Sequence, residues 1–242
     1  MSLLSRDRLR IALCPDRAIV VHFSRGKVVS KAVQPIEGDV VEALSGILSI
    51  PPAKDATLIL SSHFVKFMVV PWQDEALSEE EMLAMVRHRF SEIYGEKERE
   101  IRLSEGKIGA SSLASALDRD LLEGIKQAFA ASGTRLRSVQ PYLMTAFNAS
   151  RSEIKEASCW FVVMEKDICC MAKIREGKWE RLRQCRGEAE QAWLMLEREA
   201  MLAEEAGRRV YLYAPEHPGM QPGGSWSVHC IRTGIESGSH AM

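Results

Sequence analysis

The sequence predicts an α/β fold in which one βββαβ unit occurs twice and the first copy contains a small α/β insert. Two stretches of the chain show the same order of β-like and helical segments. Their turns coincide when one stretch is shifted by 151 residues, and two further amphipathic helices lie between them. A repeated supersecondary unit of this kind indicates two similar sheets in one molecule.

The first copy begins with three short β-like runs, followed by a helix and a fourth strand. Pro15-Asp16 separates the first two runs, and Arg25-Gly26 predicts a tight hairpin between the second and the third. Asp39 has a side chain suited to cap the helix that follows. The predicted strands of this copy are Leu9–Leu13, Ala18–Phe23, Val28–Val33 and Thr57–Ser61.

The second copy has the same order of segments. Asp167 aligns with Asp16, and Gly177 aligns with Gly26, with no gap anywhere in the comparison. A helix is predicted over residues 188–206. The predicted strands are Cys159–Met164, Ile168–Ile174, Trp179–Cys185 and Arg209–Tyr213. We therefore divide the chain into two halves, residues 1–150 and residues 151–242, and expect the tail from residue 234 onward to be disordered.

The insert is predicted to occupy about residues 63–148 and to read β-α-β-β-α-β. Ser78 and Glu81 form the pattern of a capping box at the start of its first helix. The inward face of that helix is expected to carry Met82, Val86, Phe90 and Ile93. A second amphipathic helix is predicted from Arg119 to Ala131, with Gly133 at its C-terminal end.

Composition excludes several classes of function. The chain has 32 Lys and Arg and 33 Asp and Glu, which gives no electrostatic footprint for nucleic acid. Its six cysteines form no CxxC pair, as is typical of reduced thiols in a cytoplasmic protein. No apolar run approaches the roughly 18 residues of a membrane span, so no direct membrane insertion is expected. No catalytic or metal-binding motif occurs, and neither a catalytic residue nor a metal is predicted.

A block of sequence around the start of the insert resembles a known family. It reads LSSHFVKFMVVPW over Leu60–Trp72, LSEEE over Leu77–Glu81 and RHRFSEIY over Arg87–Tyr94. Together with the duplicated unit, it resembles the pilus-assembly and secretion branch of the actin-like ATPase superfamily. Members of this branch are PilM-type and MSHA-type pilus biogenesis proteins and the cytoplasmic domain of GspL-type type II secretion proteins. The resemblance implies two actin-like halves of ribonuclease H-like topology.

The resemblance also implies a cytoplasmic scaffold without enzymatic activity. In that branch the actin-like domain docks on the cytoplasmic tail of an inner-membrane subunit and helps to couple it to an assembly ATPase. The expected location is therefore peripheral to the inner membrane, through this partner. Trp72, Phe90 and Tyr94 are candidates for contacting the partner, because aromatic side chains are favoured at interfaces. The alternative is that they close a core. A second copy of the chain is a further candidate partner.

Two aspartates occupy the positions at which nucleotide-binding relatives hold phosphate. Those relatives carry an Asp-x-Gly turn whose amides bind phosphate and whose Asp organises the metal. Here Asp16 and Asp167 are present without the glycine, and Pro15 removes one backbone amide. The Gly-Gly pair expected after the last strand appears only later, as Gly223-Gly224. We interpret both aspartates first as turn residues and only second as remnants of a nucleotide site, and we expect no cofactor.

Two alternatives stay open at this point. The first is an actin-like ATPase or small-molecule kinase with atypical phosphate loops, in which Asp16 and Asp167 would hold Mg²⁺ and ATP in the cleft between the halves. The second is an unrelated α/β protein with an accidental repeat. A structural correspondence between residues 8–62 and residues 159–213 would exclude the second alternative.

Overall fold

The computed structural model describes residues 7–49, 54–72, 78–104, 110–203, 208–217 and 226–231. The strands in these ranges are β1 (Arg8–Leu13), β2 (Arg17–Ser24), β3 (Lys27–Pro35), β4 (Asp55–Leu60), β5 (Val65–Val70), β6 (Arg99–Leu103), β7 (Ser112–Asp118), β8 (Arg135–Pro141), β9 (Cys159–Glu165), β10 (Ile168–Arg175), β11 (Lys178–Arg186), β12 (Arg209–Tyr213) and β13 (Ser227–Cys230). The helices are α1 (Val40–Leu48), α2 (Glu79–Tyr94), α3 (Arg119–Ser132), α4 (Tyr142–Ser150) and α5 (Ala189–Leu202).

Two five-stranded sheets with the same topology form the body of the molecule. Their strand orders are β3-β2-β1-β4-β8 and β11-β10-β9-β12-β13. In each sheet the first three strands of the half are antiparallel neighbours, and the fourth and fifth strands add in parallel. This arrangement confirms the predicted α/β fold with duplicated halves, and an accidental repeat is excluded.

The register of the antiparallel strands in the two sheets repeats at an offset of 151 residues. Ile11 faces Val20 in the first half, and Val162 faces Met171 in the second. A β-bulge interrupts the outer ladder at the corresponding place in both halves, between His22 and Phe23 and between Lys173 and Ile174. Because a bulge is a specific irregularity that bends and twists a strand, its repetition supports a common origin of the halves.

The outer hairpins also repeat. Both of their turns use two residues with left-handed backbone: Arg25 and Gly26 have φ angles of 51° and 75°, and Glu176 and Gly177 have φ angles of 51° and 73°. Two successive positive φ angles define the type I′ geometry that suits the twist of a two-residue hairpin. The Arg25-Gly26 turn predicted from the sequence is thereby confirmed.

The ungapped comparison of the halves was wrong at the last strand. Leu58 of β4 faces Ile11, and Leu212 of β12 faces Val162, so the equivalent positions are 154 residues apart. The intervening helices differ as well, since α1 has 9 residues and α5 has 14. A longer helix and different loops change the spacing without changing the ladder, and only the ladder defines equivalence.

The predicted helix starts are confirmed by their caps. The Asp39 carboxylate accepts hydrogen bonds from the backbone amides of Val41 and Glu42, each at 2.9 Å. At α2, the Ser78 amide donates to the Glu81 carboxylate at 2.8 Å and the Glu81 amide donates to the Ser78 hydroxyl at 3.3 Å. This is the predicted capping box, which satisfies two backbone donors at the helix start.

The insert is smaller than the predicted range of 63–148. Its sheet has the order β5-β7-β6 and ends at Asp118, and α2 packs on it. Helix α3 leaves the insert and packs on α1, where methyl groups of Val41 closely approach Gly124. Strand β8 then pairs with β4 in the first sheet. The amphipathic pattern of α3 predicted a helix but could not indicate which sheet it covers.

A hydrophobic core runs through both halves. It contains buried residues of β1, β2 and β4 together with residues of β9, β10 and β12. Helix α4, which the sequence did not predict, lies between the sheets: the Phe147 ring centroid is 5.3 Å from that of Phe161 and 4.7 Å from that of Trp179. Two smaller clusters lie under α5 and inside the insert.

Two further expectations concern Ile93 and the C-terminal tail. Ile93 was predicted to face the interior, but 63% of it is exposed, because Met82, Val86 and Phe90 already form the complete inward row of α2 at a spacing of four residues. The tail beyond residue 231 and the Gly223-Gly224 pair lie outside the described residues. Among the helices that are described, none is sufficiently long and apolar to cross a membrane.

Candidate functional site

A cavity of about 310 Å³ lies where the two halves meet, at the turns between the first and second strands of each half. The β1–β2 turn and the β9–β10 turn face each other across it. Its lining residues are Cys14, Pro15, Asp16, Arg17, Ser61, His63, Glu165, Lys166, Asp167, Arg186, Gly187 and Glu216. The structure therefore brings Asp16 and Asp167 to one site, as the duplication predicted.

Asp16 is engaged by basic groups on both sides of the cleft. Its carboxylate accepts a hydrogen bond from the Lys166 ammonium of the other half at 2.7 Å and lies 3.3 Å from the Arg17 guanidinium. The hydrogen bond from Lys166, followed by the nearby positive charges, holds the pKa of Asp16 below its usual range. The first aspartate is thus part of an ion pair between the halves.

Asp167 lies in a turn with left-handed backbone. Its φ angle is 59°, a left-handed conformation that residues other than Gly, Asn and Asp rarely adopt. Its carbonyl accepts a hydrogen bond from the Gly187 amide at 3.0 Å, and the carbonyl of Asp16 accepts the equivalent bond from Ile36 at 2.8 Å. Both aspartates therefore serve the same backbone connection, which supports their interpretation as turn residues.

A buried carboxylate next to these turns was not foreseen. Glu165, the last residue of β9, is 5% exposed and accepts a hydrogen bond at 3.0 Å from the backbone amide of Ser62 in the first half. Burial raises the pKa of Glu165 above its usual value. The only sequence signal was a glutamate ending an apolar run, and such a signal does not identify a partner on the other half.

Other polar groups of the cavity are also paired or unreactive. Arg17 forms an ion pair with Glu216, which lies after β12. The Ser61 hydroxyl and the His63 ring nitrogen Nδ1 are 2.9 Å apart. Burial lowers the pKa of His63 and raises the pKa of Cys14 to about 12, so Cys14 stays a thiol at neutral pH.

These residues do not fit a magnesium nucleotide. Pro15 has no amide to donate, and the Asp16 carboxylate is already bonded to Lys166. No group of three or more potential metal ligands occurs in the described part of the chain. Phosphate-binding turns rely on several converging backbone amides, and Pro15 removes one of them from the first turn.

The three predicted partner-binding aromatics have different environments. Phe90 is 1% exposed inside the insert, so it is a core residue and cannot contact a partner. Tyr94 is partly buried: its ring stacks on Phe90 with centroids 5.8 Å apart, and its hydroxyl donates to the Phe67 carbonyl at 3.4 Å. Trp72 is 47% exposed at the end of β5. Of the three, Trp72 has the accessibility that an interface needs.

Comparison with known proteins shows what this architecture is similar to. Neither a family model nor a curated protein matches the chain. Among solved structures, one similar chain comes from the PilM-PilN type IV pilus biogenesis complex, with a TM-score of 0.63 and 14% identity over 86% of this chain and 81% of that chain. The cytoplasmic domain of EpsL, an inner membrane component of the type II secretion system of Vibrio cholerae, has a TM-score of 0.62 and 14% identity over 93% of this chain and 90% of that chain.

A third similar structure has no assigned function. It is a Bacteroides thetaiotaomicron protein with an actin-like ATPase fold, with a TM-score of 0.62 and 11% identity over 88% of this chain and 84% of that chain. At such identities the likeness establishes architecture. With the duplicated sheets, the shared register and the cleft between equivalent turns, it shows that this chain has the actin-like ATPase fold.

Proposed function

We propose that this protein is a non-enzymatic scaffold that binds an inner-membrane subunit in a type IV pilus or type II secretion-like machine. The observation that carries the proposal is the cleft, in which the ion pair between Asp16 and Lys166 stands at the position of a phosphate turn. Two of the similar structures come from such machines: the PilM-PilN type IV pilus biogenesis complex and the type II secretion component EpsL. A scaffold requires the fold but not the nucleotide.

The contacts across the cleft support a fixed arrangement of the halves. Ser62 of the first half donates to Glu165, and the Gln184 side chain of the second half donates to the Val65 carbonyl at 3.0 Å. These bonds and the shared core join the two halves directly. In this proposal the protein is located on the cytoplasmic side of the membrane through its partner.

The test uses the full chain in two measurements. Affinity capture from solubilised membranes of the source cells, followed by mass spectrometry, is expected to enrich a bitopic pilus or secretion subunit over a control with unrelated bait. Melting curves with and without millimolar MgATP are expected to coincide, because only a ligand that binds the native state raises the melting temperature. A clear upward shift with MgATP, without a captured subunit, would favour the actin-like ATPase or kinase instead.

A further inference from the structure

Two cysteines face each other on neighbouring strands of the second sheet. The register of β10 and β11 pairs Cys169 directly with Cys185. Residues that are directly paired across strands project to the same face of a sheet, and here that face is covered by α5. Both residues are free thiols. Their side chains are hydrogen-bonded to each other, so the two sulfur atoms are already in contact.

The backbone spacing at this pair suits a disulfide. The Gly187 amide donates to the Asp167 carbonyl, so these two residues form a hydrogen-bonded pair at the start of the ladder. In an antiparallel ladder such pairs alternate with pairs that lack these bonds. Cys169 and Cys185 lie two positions further along and are again a hydrogen-bonded pair. Their Cα atoms are therefore about 5.5 Å apart, which is within the range that disulfides require.

All six cysteines lie in the part of the chain that the structure describes, and no other two of them are paired across strands. Cys170 follows Cys169 in sequence but projects to the opposite face, where it is paired with Gln184. The other three lie apart from one another: Cys14 follows β1, Cys159 is opposite Ile174, and Cys230 is opposite Leu212.

The fold does not require thiols at these two positions. The equivalent positions of the first half carry Ala18 and Gln34, which are paired in the same way between β2 and β3. A buried cysteine usually acts as a small apolar side chain, and this role accounts for Cys169, which is 1% exposed. It does not account for Cys185, which is only partly buried on the outer strand and directly faces another thiol.

The two thiols differ in acidity. The hydrogen bond from Cys169 lowers the pKa of Cys185, whereas the same bond, together with burial, raises the pKa of Cys169. Burial also raises the pKa of Cys14 and of Cys170. The thiolate is the reactive form of cysteine. Cys185 is therefore suited to react first with an oxidant from solvent, and Cys169 is placed to attack the oxidised Cys185.

We propose that Cys169 and Cys185 are a modification site at which hydrogen peroxide forms a reversible disulfide, whatever the partner of this protein is. The Cys185 thiolate attacks one peroxide oxygen, and the O–O bond breaks to give a sulfenic acid and hydroxide, which takes up the proton that Cys185 had lost. The Cys169 sulfur then attacks the Cys185 sulfur. The S–S bond forms as the S–O bond breaks, and the hydroxyl group leaves with the Cys169 proton as water. In total, the two thiols and one peroxide give one disulfide and two waters.

The disulfide lies beside contacts that join the two halves. Gln184, the residue before Cys185, donates to the Val65 carbonyl of the first half at 3.0 Å, and β11 packs against β5 of the insert. Oxidation therefore acts on the strand to which the insert is attached. In a reducing compartment a disulfide of this kind is transient, as is usual for redox-sensing cysteines.

The test treats the reduced full chain with hydrogen peroxide in the absence of other thiols. Digestion without a reductant, followed by mass spectrometry, is expected to show Cys185 joined to the peptide that contains Cys169 and Cys170. The joined peptides should weigh less than the sum of the free peptides by two hydrogen atoms, and dithiothreitol should separate them. In a denaturant this pair should lose its preference over other pairs, because the strand register that brings the thiols together is lost.

Three variants identify the sulfur atoms and the order of the steps. Cys169→Ala, which introduces the residue of the equivalent position in the first half, should abolish the cross-link and leave a sulfenic acid at Cys185 that dimedone traps. Cys185→Ala should abolish the cross-link and leave Cys169 as a thiol. Cys170→Ala is the matched control: it removes the neighbouring thiol on the opposite face and should leave the cross-link unchanged.

The outcomes that would overturn the proposal are equally specific. They are a cross-link that persists in Cys169→Ala, a cross-link that is lost in Cys170→Ala, and wild-type protein in which peroxide leaves Cys169 and Cys185 as thiols. The wild-type measurement does not depend on the folding of any variant. Circular dichroism of each reduced variant shows whether its result refers to the folded protein.

Discussion

The two halves of this protein use one surface of the same sheet in opposite ways. In the second half the outer face of β9, β10 and β11 carries apolar side chains and is covered by α4 and the insert. In the first half the equivalent face carries Arg8, Arg10 and Lys31 beside the buried Val21, and its edge strand β3 is largely exposed. The backbone register is the same in both, down to the bulge. The two edges therefore differ both in their side chains and in whether the insert packs against them.

The largest expected effect tests whether the two faces differ in burial as described. Phe161→Ala should lower the free energy of unfolding by about 4 kcal/mol, because a fully buried ring leaves a cavity. Arg10→Ala, at the equivalent position of the first half, should change it by no more than about 1 kcal/mol. Chemical denaturation monitored by tryptophan fluorescence measures both. Equal losses would mean that the first face is as enclosed as the second.

The next largest effect on stability is expected when the residues at one pair of equivalent positions, Leu182 and Lys31, are exchanged. Leu182→Lys places an ammonium group in the covered face and should cost about 3 kcal/mol, since the charge loses its hydration. Lys31→Leu is the reverse change at the equivalent, exposed position of β3 and should alter stability by less than about 1 kcal/mol. Melting curves of the two variants would be compared with wild type. A strongly destabilised Lys31→Leu protein would contradict the exposed position of Lys31 on β3.

The hydrogen bonds that join β11 to the first half should contribute less to the free energy of unfolding than these core residues do. Gln184→Ala removes the donor to the Ser62 and Val65 carbonyls and should destabilise the protein by about 1–2 kcal/mol. Faster hydrogen exchange of β5 and β11 is expected with it, because the insert loses part of its attachment. Val33→Ala, the equivalent change in β3, is the control and should leave exchange in β5 unchanged. If both variants behave alike, the two edges do not differ as the structure indicates.

The smallest expected effect on stability comes from the cleft, where two equivalent positions each carry a buried titratable group. Glu165 aligns with Cys14, and the pKa of each is raised. A carboxyl group with a raised folded-state pKa binds its proton more tightly in the folded state, so it contributes stability at acid pH that is lost as pH rises through that pKa. Glu165→Gln keeps the acceptor for Ser62 and should stabilise the protein at neutral pH by about 1 kcal/mol.

The measurement is a pH series of denaturation between acid and neutral pH. Wild type should lose stability relative to Glu165→Gln as pH rises, and Cys14→Ser, the control in the other half, should not change this slope. Asp16 acts in the opposite direction, because its pKa is lowered and its stabilisation fades as pH falls. A difference between wild type and Glu165→Gln that does not depend on pH would exclude the ionisation of Glu165 as its cause.

Local patterns in the sequence were sufficient for the duplicated fold. The Arg25-Gly26 turn, the Asp39 cap and the Ser78 capping box each depend on neighbouring residues, and each was predicted correctly. The aspartates Asp16 and Asp167 were also placed together at the cleft, because duplication relates their positions.

Features that depend on distant contacts could not be predicted from one sequence. Phe90 and Ile93 have similar hydrophobicity on one helix, yet only the packing of α2 on its sheet decides that Phe90 is buried and Ile93 exposed. For the same reason the sequence could not show that α3 and β8 belong to the first sheet and not to the insert, because this depends on the pairing of β8 with β4. Glu165 had no local signal, since its partner Ser62 is 103 residues away. The assignment of function and the division at residue 150 stay predictions.

The core shared by the two halves has a mechanical consequence. In a hinged molecule a bound ligand sets the angle between two independent bodies. Here continuous side-chain packing passes from β1 and β4 through Phe147 to β9 and β10, and dense packing transmits strain with little compliance. A pull applied at one sheet should therefore reach the other with little change in angle. In a machine that moves pilin or cargo, such a protein would behave as a strut, which passes on load rather than switching state.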